Sequence, residues 1–454
     1  MDSKTRLSGR TWFNLVLFGL MGQIAWNVEN MYFNTFLYNS VYKGASQAAV
    51  NAAPDVMTSI SRMVAFSALT AVLTTFLMGN LSDSLNRRKL FISIGYIAWG
   101  AVTACFGFIT RDNIALLLKL SDEGKILTAT VTAVIIADCI MTFVGSTGND
   151  SAFNAWVTDV TDNSNRATVE SVLALLPVAA MGVVIALGAV VDSVGYSTFF
   201  IVLGCSVVVC GVLGMFSLTE TRGGGRSESR QYFKDLLYGF KPSVIKQNST
   251  LYIILSAICI YSVAVQVFFP YLLIYLEHGL GVSIDMLSQL KPVHFAIIGI
   301  GLVLAIVGIV GVGRLVDKFG KRIFLIVAGL CFIIGLFAAG RATRLGSFAA
   351  CAIPLLIGYA LLGILLNAAV RDYTPEDKVG LFQGVRMIFF VLIPMYIGPK
   401  IGDLACRLSE KQYVNEYGVA QSVPTAEMFT AAAVVSLFII IPVAALYKRL
   451  AKNN

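Results

Sequence analysis

The chain has 454 residues, of which 57% are apolar and only 13% are charged. A soluble protein usually has about 25% charged and roughly half apolar residues, so this composition argues against a soluble enzyme, a nucleic-acid-binding protein and a disordered chain. The net charge of +8 is explained by basic cytoplasmic loops in a membrane protein. The chain is long enough for roughly twelve membrane spans of about 20 residues each.

Twelve apolar runs recur along the sequence, and all of them must be helical because lipid cannot hydrogen-bond the backbone. A polar stretch, 219–248, lies between the sixth and the seventh run. It separates a predicted N-terminal bundle, 1–218, from a predicted C-terminal bundle, 249–454. Spans one to six are predicted at 12–38, 56–79, 90–109, 126–147, 169–191 and 197–218, and spans seven to twelve at 250–276, 293–313, 323–340, 347–369, 382–405 and 426–447.

The placement of lysine and arginine predicts the topology. With a cytoplasmic N-terminus, 23 of the 34 basic residues lie on cytoplasmic segments, ten lie on outer segments, and Arg62 lies within span two. Both termini are therefore expected in the cytoplasm. The basic residues before span one resemble a signal peptide, but that run is long and carries Asn27, Glu29 and Asn30, so we expect it to be retained.

Motifs for cofactor, metal and catalytic sites are missing from the sequence. The eight cysteines form no CxxC pair or Cys/His cluster, which argues against a disulfide framework or a zinc site. No HExxH, GxSxG or phosphate-binding loop occurs. We therefore expect no enzyme activity and no cofactor. We also expect no nucleic-acid partner. The protein is expected to be a monomer in the lipid bilayer of a plasma membrane, specifically a bacterial cytoplasmic membrane.

One loop pattern, G-x-L-x-D-x-x-[GN]-[KR]-[KR], follows span two and again follows span eight. Its two aspartates, Asp83 and Asp317, are 234 residues apart. The glycine allows close approach of helices, and the aspartate can face a helix N-terminus. The repeat predicts a cytoplasmic gate, and the alternative is an ordinary basic loop. The predicted gate residues are Gly79, Asp83, Arg87, Arg88, Gly313, Asp317, Gly320, Lys321 and Arg322.

This paired motif resembles the loop signature of the major facilitator superfamily. The resemblance implies an all-α polytopic membrane protein with twelve transmembrane helices. These would form two six-helix bundles, related by pseudo-two-fold symmetry around a central cavity, with alternating access by rocking of the halves. The second copy of the motif matches the family closely, whereas the first has Asn86 where glycine is usual.

A second pair of segments is similar to the glycoside–pentoside–hexuronide:cation symporter branch, which includes the melibiose permease and carries sugars with sodium or protons. In each segment Asp-x-Thr is followed by a basic residue, and the expected gate ion pairs involve Asp159, Arg166, Asp372 and Lys378. The cation site of that branch uses an Asp pair in span two. Here span two has no acidic residue, so a coupled cation would need other carboxylates.

Span one carries a stripe of amides, Asn27, Asn30 and Asn34, with Tyr32 nearby. Amides and tyrosines both donate and accept hydrogen bonds, which suits the many hydroxyls of a sugar. The stripe therefore predicts a solute-binding face, and the alternative is hydrogen bonding between helices.

Charges within spans are expensive and are candidate functional groups. Glu29 lies in span one and Asp138 in the middle of span four. Asp138 can carry a coupled proton, or it can form an ion pair with Arg62. Such an ion pair would either take part in transport or hold two helices together. Glu29 is the alternative carrier, and Asp150 is a further candidate for coupling to H⁺ or Na⁺.

The remaining solute candidates are polar or aromatic residues near the ends of spans four, seven and eleven. Trp156 can stack on a sugar ring or anchor the helix at the membrane interface. Arg386 can bind a solute hydroxyl or carboxylate, or pair with an acid. The full set of these candidates is Asn149, Asn154, Trp156, Gln266 and Arg386.

These features predict a secondary active transporter for a small polar solute, a sugar or glycoside, coupled to H⁺ or Na⁺. An uncoupled facilitator and a drug or metabolite exporter are alternatives in the same mechanical class, and a receptor on a transporter scaffold is one from another class. The amide stripe favours a polyhydroxylated solute over a lipophilic drug.

Overall fold

The structure is a computed structural model that describes residues 7–85, 87–161, 165–220, 239–281, 321–375, 379–409, 411–415 and 417–452. The predicted span eight, most of the central loop, and the predicted gate residues Gly313, Asp317, Gly320 and Lys378 lie outside these ranges. The expected all-α polytopic architecture is confirmed. In the described ranges, eight helices are long and apolar enough to cross a membrane.

The chain forms two compact units. The first unit comprises Met1–Asp235 with Val414–Gln421, and the second comprises Leu236–Tyr413 with Ser422–Asn454. The short segment Val414–Gln421 therefore belongs to the first unit although it lies late in the sequence. The only strands among the described residues, β1 (Gln412–Val414) and β2 (Ala420–Ser422), pair in this region.

In the first unit the α-helices of the predicted spans are joined by short turns and interrupted by wider, π-helical turns. The α-helices are Gly9–Val28, Asn34–Phe36, Gln47–Ala52, Val56–Leu85, Arg88–Cys105, Arg111–Leu118, Glu123–Gly145, Asn154–Val160 and Arg166–Ser217. The π-helical segments are Glu29–Phe33, Leu37–Val41 and Ser146–Phe153, and Phe106–Phe108 forms a 3₁₀ turn.

The second unit likewise combines α-helices with short π-helical and 3₁₀ segments. Its α-helices are Pro242–Gln247, Ser249–Phe268, Leu272–Ile274, Lys321–Ala339, Leu345–Tyr373, Val379–Met387, Ile393–Arg407, Glu427–Leu437 and Ile440–Lys452. The π-helical segments are Tyr275–Gly279 and Ile388–Leu392, and Phe269–Tyr271 forms a 3₁₀ turn.

Spans five and six run through one helical stretch, Arg166–Ser217, that breaks at Gly195. The backbone of Gly195 has φ = 78°, a conformation that glycine adopts without the steric cost met by other residues. This break lets two spans follow one another with almost no loop.

Glycines bring spans three, four and six close together in the first unit. A Cβ on Gly100 would lie 2.4 Å from the carbonyl oxygen of Gly204, and one on Gly148 would lie 3.2 Å from the Cα of Gly95. Small residues at such contacts let helix backbones pack directly against each other within a membrane. This packing fixes span four, which carries most of the site described next.

Candidate cation and solute site

The carboxyl group of Glu29 is held where spans one, two and four meet. Glu29 begins the π-helical segment of span one and is 7% exposed. Its Oε1 lies 2.7 Å from the Ser67 hydroxyl of span two and 3.0 Å from the Thr142 hydroxyl of span four. The two hydroxyl oxygens are themselves 2.7 Å apart. π-Helical turns often occur at functional sites, and here one positions a buried acid.

Asp138 lies one helical turn before Thr142 and is 2% exposed. The Ser67 hydroxyl lies beside its carboxyl group as well. In the described part of the chain, no hydrogen-bond donor reaches Oδ1 of Asp138 or Oε2 of Glu29. Burying two ionised carboxylates without a counter-charge is strongly unfavourable, so this pair needs a proton or a bound cation.

Of the two alternatives for Asp138, the ion pair with Arg62 is absent, although both residues are described. Arg62 is exposed, whereas Asp138 is buried beside Glu29. Arg62 and Ser67 are five residues apart on one helix, which places them about 140° apart around its axis. Because Ser67 faces the acids, Arg62 points away from them.

Asp150 lies in a second polar cluster, in the π-helical segment of span four. The Ser146 hydroxyl donates to its Oδ2 at 3.0 Å, and the Asn149 amide donates to its Oδ1 at 3.2 Å. Trp26 of span one lies near this carboxyl group. Asn149 is fixed in turn by the Tyr96 hydroxyl, 2.9 Å from its Oδ1.

The amides of span one use part of their hydrogen-bonding capacity within their own helix. Asn30 Nδ2 donates to the Trp26 carbonyl and Asn34 Nδ2 to the Asn30 carbonyl, each at 2.7 Å. Asn34 is 1% exposed, whereas Asn27 and Asn30 are half-buried. The Tyr32 hydroxyl donates to a backbone carbonyl at 2.9 Å. Asn27 and Asn30 are therefore the more accessible members of this group.

The predicted solute candidates after Asp150 differ in exposure. Asn154 is exposed, and its Nδ2 donates to the Asp150 carbonyl at 3.1 Å. Trp156 has no exposed surface, stacks on Phe153 at 6.1 Å, and directs its indole N–H at the Thr219 carbonyl. This packing leaves no face of Trp156 open for stacking on a sugar ring.

In the second unit, Arg386 Nη2 donates to Asn367 Oδ1 at 2.7 Å. The guanidinium carbon lies 5.3 Å from the centre of the Phe390 ring, a cation–π distance. Gln266 is half-buried against Gly398, where any Cβ would lie 2.5 Å from the Gln266 Cβ. These contacts orient the guanidinium of Arg386 and pack the Cβ of Gln266 against span eleven.

The first copy of the gate motif forms a link between the ends of spans two and four. Arg88 is 8% exposed; its Nη1 donates to the Ser82 hydroxyl at 2.7 Å, and its Nε lies 3.2 Å from Asp159 Oδ2. Arg87 and Asp372 are exposed. The side chains of Asp83, Arg166, Lys321 and Arg322, and the surroundings of Gly79, lie outside the described part of the structure.

Sequence reasoning did not single out the hydroxyl residues of this site. Ser67, Thr142 and Ser146 lie on strongly apolar spans, where serine and threonine often only bond their own helix. The available signal was their spacing: Asp138, Thr142, Ser146 and Asp150 recur at every fourth residue of span four.

Comparison with known proteins places these features in a family. The family model of the major facilitator superfamily matches residues 11–399. The chain belongs to the major facilitator superfamily. Membership in this transporter family, together with the apolar helices, makes the protein an integral membrane protein with a small-molecule substrate. A comparison with curated protein sequences found no match.

Solved structures of this superfamily have the same fold. The nucleoside transporter NupG is 12% identical, with a TM-score of 0.66 over 96% of this chain and 98% of that one. The xylose transporter XylE from E. coli, in an inward-open conformation, is 12% identical, with a TM-score of 0.63 over 94% and 95%. A bacterial homologue of the human lysosomal transporter Spinster is 16% identical, with a TM-score of 0.57 over 97% of both chains.

Proposed function

We propose that this superfamily member is a secondary active transporter that moves a small polar solute, a sugar or glycoside, together with a cation. The observation that carries the proposal is the buried pair Glu29 and Asp138. Among the described residues, no lysine, arginine or histidine forms an ion pair with either carboxyl group. A pair that must take up positive charge to be stable within a membrane is suited to binding and releasing a cation.

Polar side chains within each unit suit a polyhydroxylated solute. Asn27 and Asn30 are half-buried amides on the span that carries Glu29, and Arg386 with Asn367 forms a polar group in the second unit. The resemblance of the motifs to the glycoside–pentoside–hexuronide:cation branch supports a sugar. The fold is shared with a xylose transporter and a nucleoside transporter, and both kinds of solute carry several hydroxyls.

Coupling follows if solute and cation both favour the same conformation, since each then shifts the equilibrium between outward and inward access. Arg88, bonded to Ser82 and Asp159, would take part in this cycle by holding the ends of spans two and four together. Both termini are proposed to lie in the cytoplasm of a bacterial cell. A tag placed after Asn454 should then stay inaccessible to an impermeant label on intact cells.

The test is uptake by proteoliposomes of radiolabelled melibiose, xylose and uridine, under imposed proton or sodium gradients. We expect accumulation of at least one solute above equilibrium. Glu29→Gln and Asp138→Asn should abolish accumulation while exchange of solute partly persists. Asp112→Asn, an exposed acid outside the spans, is the matched control and should behave as the wild-type protein.

The outcomes separate the alternatives. Uptake that equilibrates without exceeding the outside concentration under any gradient identifies an uncoupled facilitator. Failure of all three solutes to enter or to compete under every gradient contradicts the proposal, and an exporter of other compounds is then the next hypothesis.

A further inference from the structure

We infer that the coupled cation is a proton, and that side chains on span four relay it between the Glu29–Asp138 pair and Asp150. This inference rests on the proposed function and specifies its ion and its route. It starts from the line of proton-bearing groups at positions 138, 142, 146 and 150 of span four.

The spacing places these four side chains along one face of the helix. Four residues advance an α-helix by about 6 Å, so Asp138 and Ser146 lie about 12 Å apart along the axis. Asp150 lies about one π-helical turn further on. Asp138, Thr142 and Ser146 are 2%, 1% and 0% exposed, and Asp150 is half-buried. The line therefore runs through the interior of the first unit, from mid-membrane toward the end of span four that the sequence predicts to be cytoplasmic.

Hydrogen bonds connect Glu29 to the part of this line at Asp138 and Thr142. The Ser67 hydroxyl lies beside both Asp138 and Glu29, and 2.7 Å from the Thr142 hydroxyl. Thr142 in turn lies 3.0 Å from Glu29. A proton can thus pass between the two carboxyl groups: a hydroxyl gives its own proton to one carboxylate and takes a proton from the other acid.

The other end of the line is formed by Ser146 and Asp150. The Ser146 hydroxyl donates to Asp150 Oδ2 at 3.0 Å. The step from Thr142 to Ser146 spans one turn, about 6 Å along the helix, which a single bridging water can cover. Each hydroxyl returns to its starting state once it has lost one proton and gained another, so the relay consumes nothing.

The geometry favours a proton over sodium. The hydroxyls of Ser67 and Thr142 hydrogen-bond Glu29 and lie 2.7 Å from each other. A proton can pass along such hydrogen bonds, whereas a sodium ion cannot. A sodium site at Glu29 would leave the aligned Ser146 and Asp150 without a role.

The titratable groups around the pair are few. Asp138 and Asp150 interact electrostatically with Glu29. The Cys139 thiol, on the same helix as Asp138, lies near Asp138 and Glu29. In the part of the chain that the structure describes, none of the three carboxyl groups is in a salt bridge.

The test measures proton uptake during solute uptake in proteoliposomes that contain an entrapped pH dye, with melibiose, xylose and uridine as probes. Thr142→Val, Ser146→Ala and Asp150→Asn each remove one member of the relay. We expect proton uptake, and the ratio of protons to solute taken up, to fall at least about tenfold in each. Thr147→Val is the matched control, because its buried hydroxyl donates to the Phe143 carbonyl of its own helix.

Thr142→Ser keeps a hydroxyl at the same position and should retain proton uptake, which separates loss of the relay from poor folding of the valine variant. Wild-type proton uptake in the three relay variants overturns the inference. Accumulation under a sodium gradient alone also overturns it, but leaves cation-coupled transport intact. Absence of solute movement under every gradient overturns the proposed function and the relay together.

Discussion

Replacement of Gly100 by alanine tests the close contact between spans three and six. A Cβ at Gly100 would lie 2.4 Å from the carbonyl oxygen of Gly204 and 2.5 Å from the backbone nitrogen of Val208, whereas ordinary contact begins at 3.4 Å. The shortfall is 3.4 minus 2.4, or 1.0 Å. Both obstructing atoms are backbone, so no side-chain rotation can relieve the clash and the helices must move apart.

Overpacking of a tight core typically costs about 1–3 kcal/mol. Separating two helix backbones also weakens the van der Waals contacts that drive helix association in a membrane. We therefore expect Gly100→Ala to lower the free energy of unfolding by at least about 2 kcal/mol, in the upper part of that range. Gly329→Ala is the control, because a Cβ there meets nothing within 4 Å; we expect it to be neutral or slightly stabilising.

The assay is equilibrium unfolding of the purified protein in mixed micelles with increasing denaturing detergent, followed by tryptophan fluorescence. Gly100→Ala should unfold at a lower detergent fraction than both the wild type and Gly329→Ala. Coincident curves for all three proteins would refute the close backbone packing of spans three and six.

Three further substitutions have defined expectations. Tyr32→Phe removes one buried hydrogen bond to a backbone carbonyl and should cost about 1 kcal/mol in the same unfolding assay; an unchanged curve would contradict that bond. Arg88→Gln removes the charged contact with Asp159 and should cost about 1.5–3 kcal/mol. A similar loss in Asp159→Asn, with little extra in the double variant, would show that the two side chains act as a pair. Arg386→Lys keeps the charge but loses the planar guanidinium that donates to Asn367; we expect weaker solute competition in proteoliposomes, and wild-type competition would exclude a role for that geometry.

Most of the helical architecture could be predicted from the sequence, because the cost of burying unpaired backbone groups in lipid leaves a long apolar run few options besides a helix. Span two was predicted at 56–79, and the structure has a helix at Val56–Leu85. Span four was predicted to end at 147, yet the described helix continues through π-helical turns to Val160. Those wider turns depend on packing against neighbouring spans, which apolar periodicity does not report.

The candidate site could be predicted only in part. Glu29 and Asp138 were found because a charge within an apolar run is visible in the sequence itself. Arg62 was one of the alternatives for Asp138, as its ion-pair partner, but Arg62 lies on the other side of span two from Ser67. The rotation of span two about its own axis decides this. Span two has too few polar residues for its sequence to reveal that rotation.

The sequence by itself determined that the protein is a polytopic helical membrane protein with a repeated loop motif, because apolar length and basic-loop placement are local properties of the chain. Only the tertiary structure decided that Ser67 and Thr142 meet at Glu29, and that Arg88 bonds Asp159. These partners lie far apart in the sequence and come together through close packing of helices. Their hydrogen bonds, and hence the proposed route of the proton, depend on that packing.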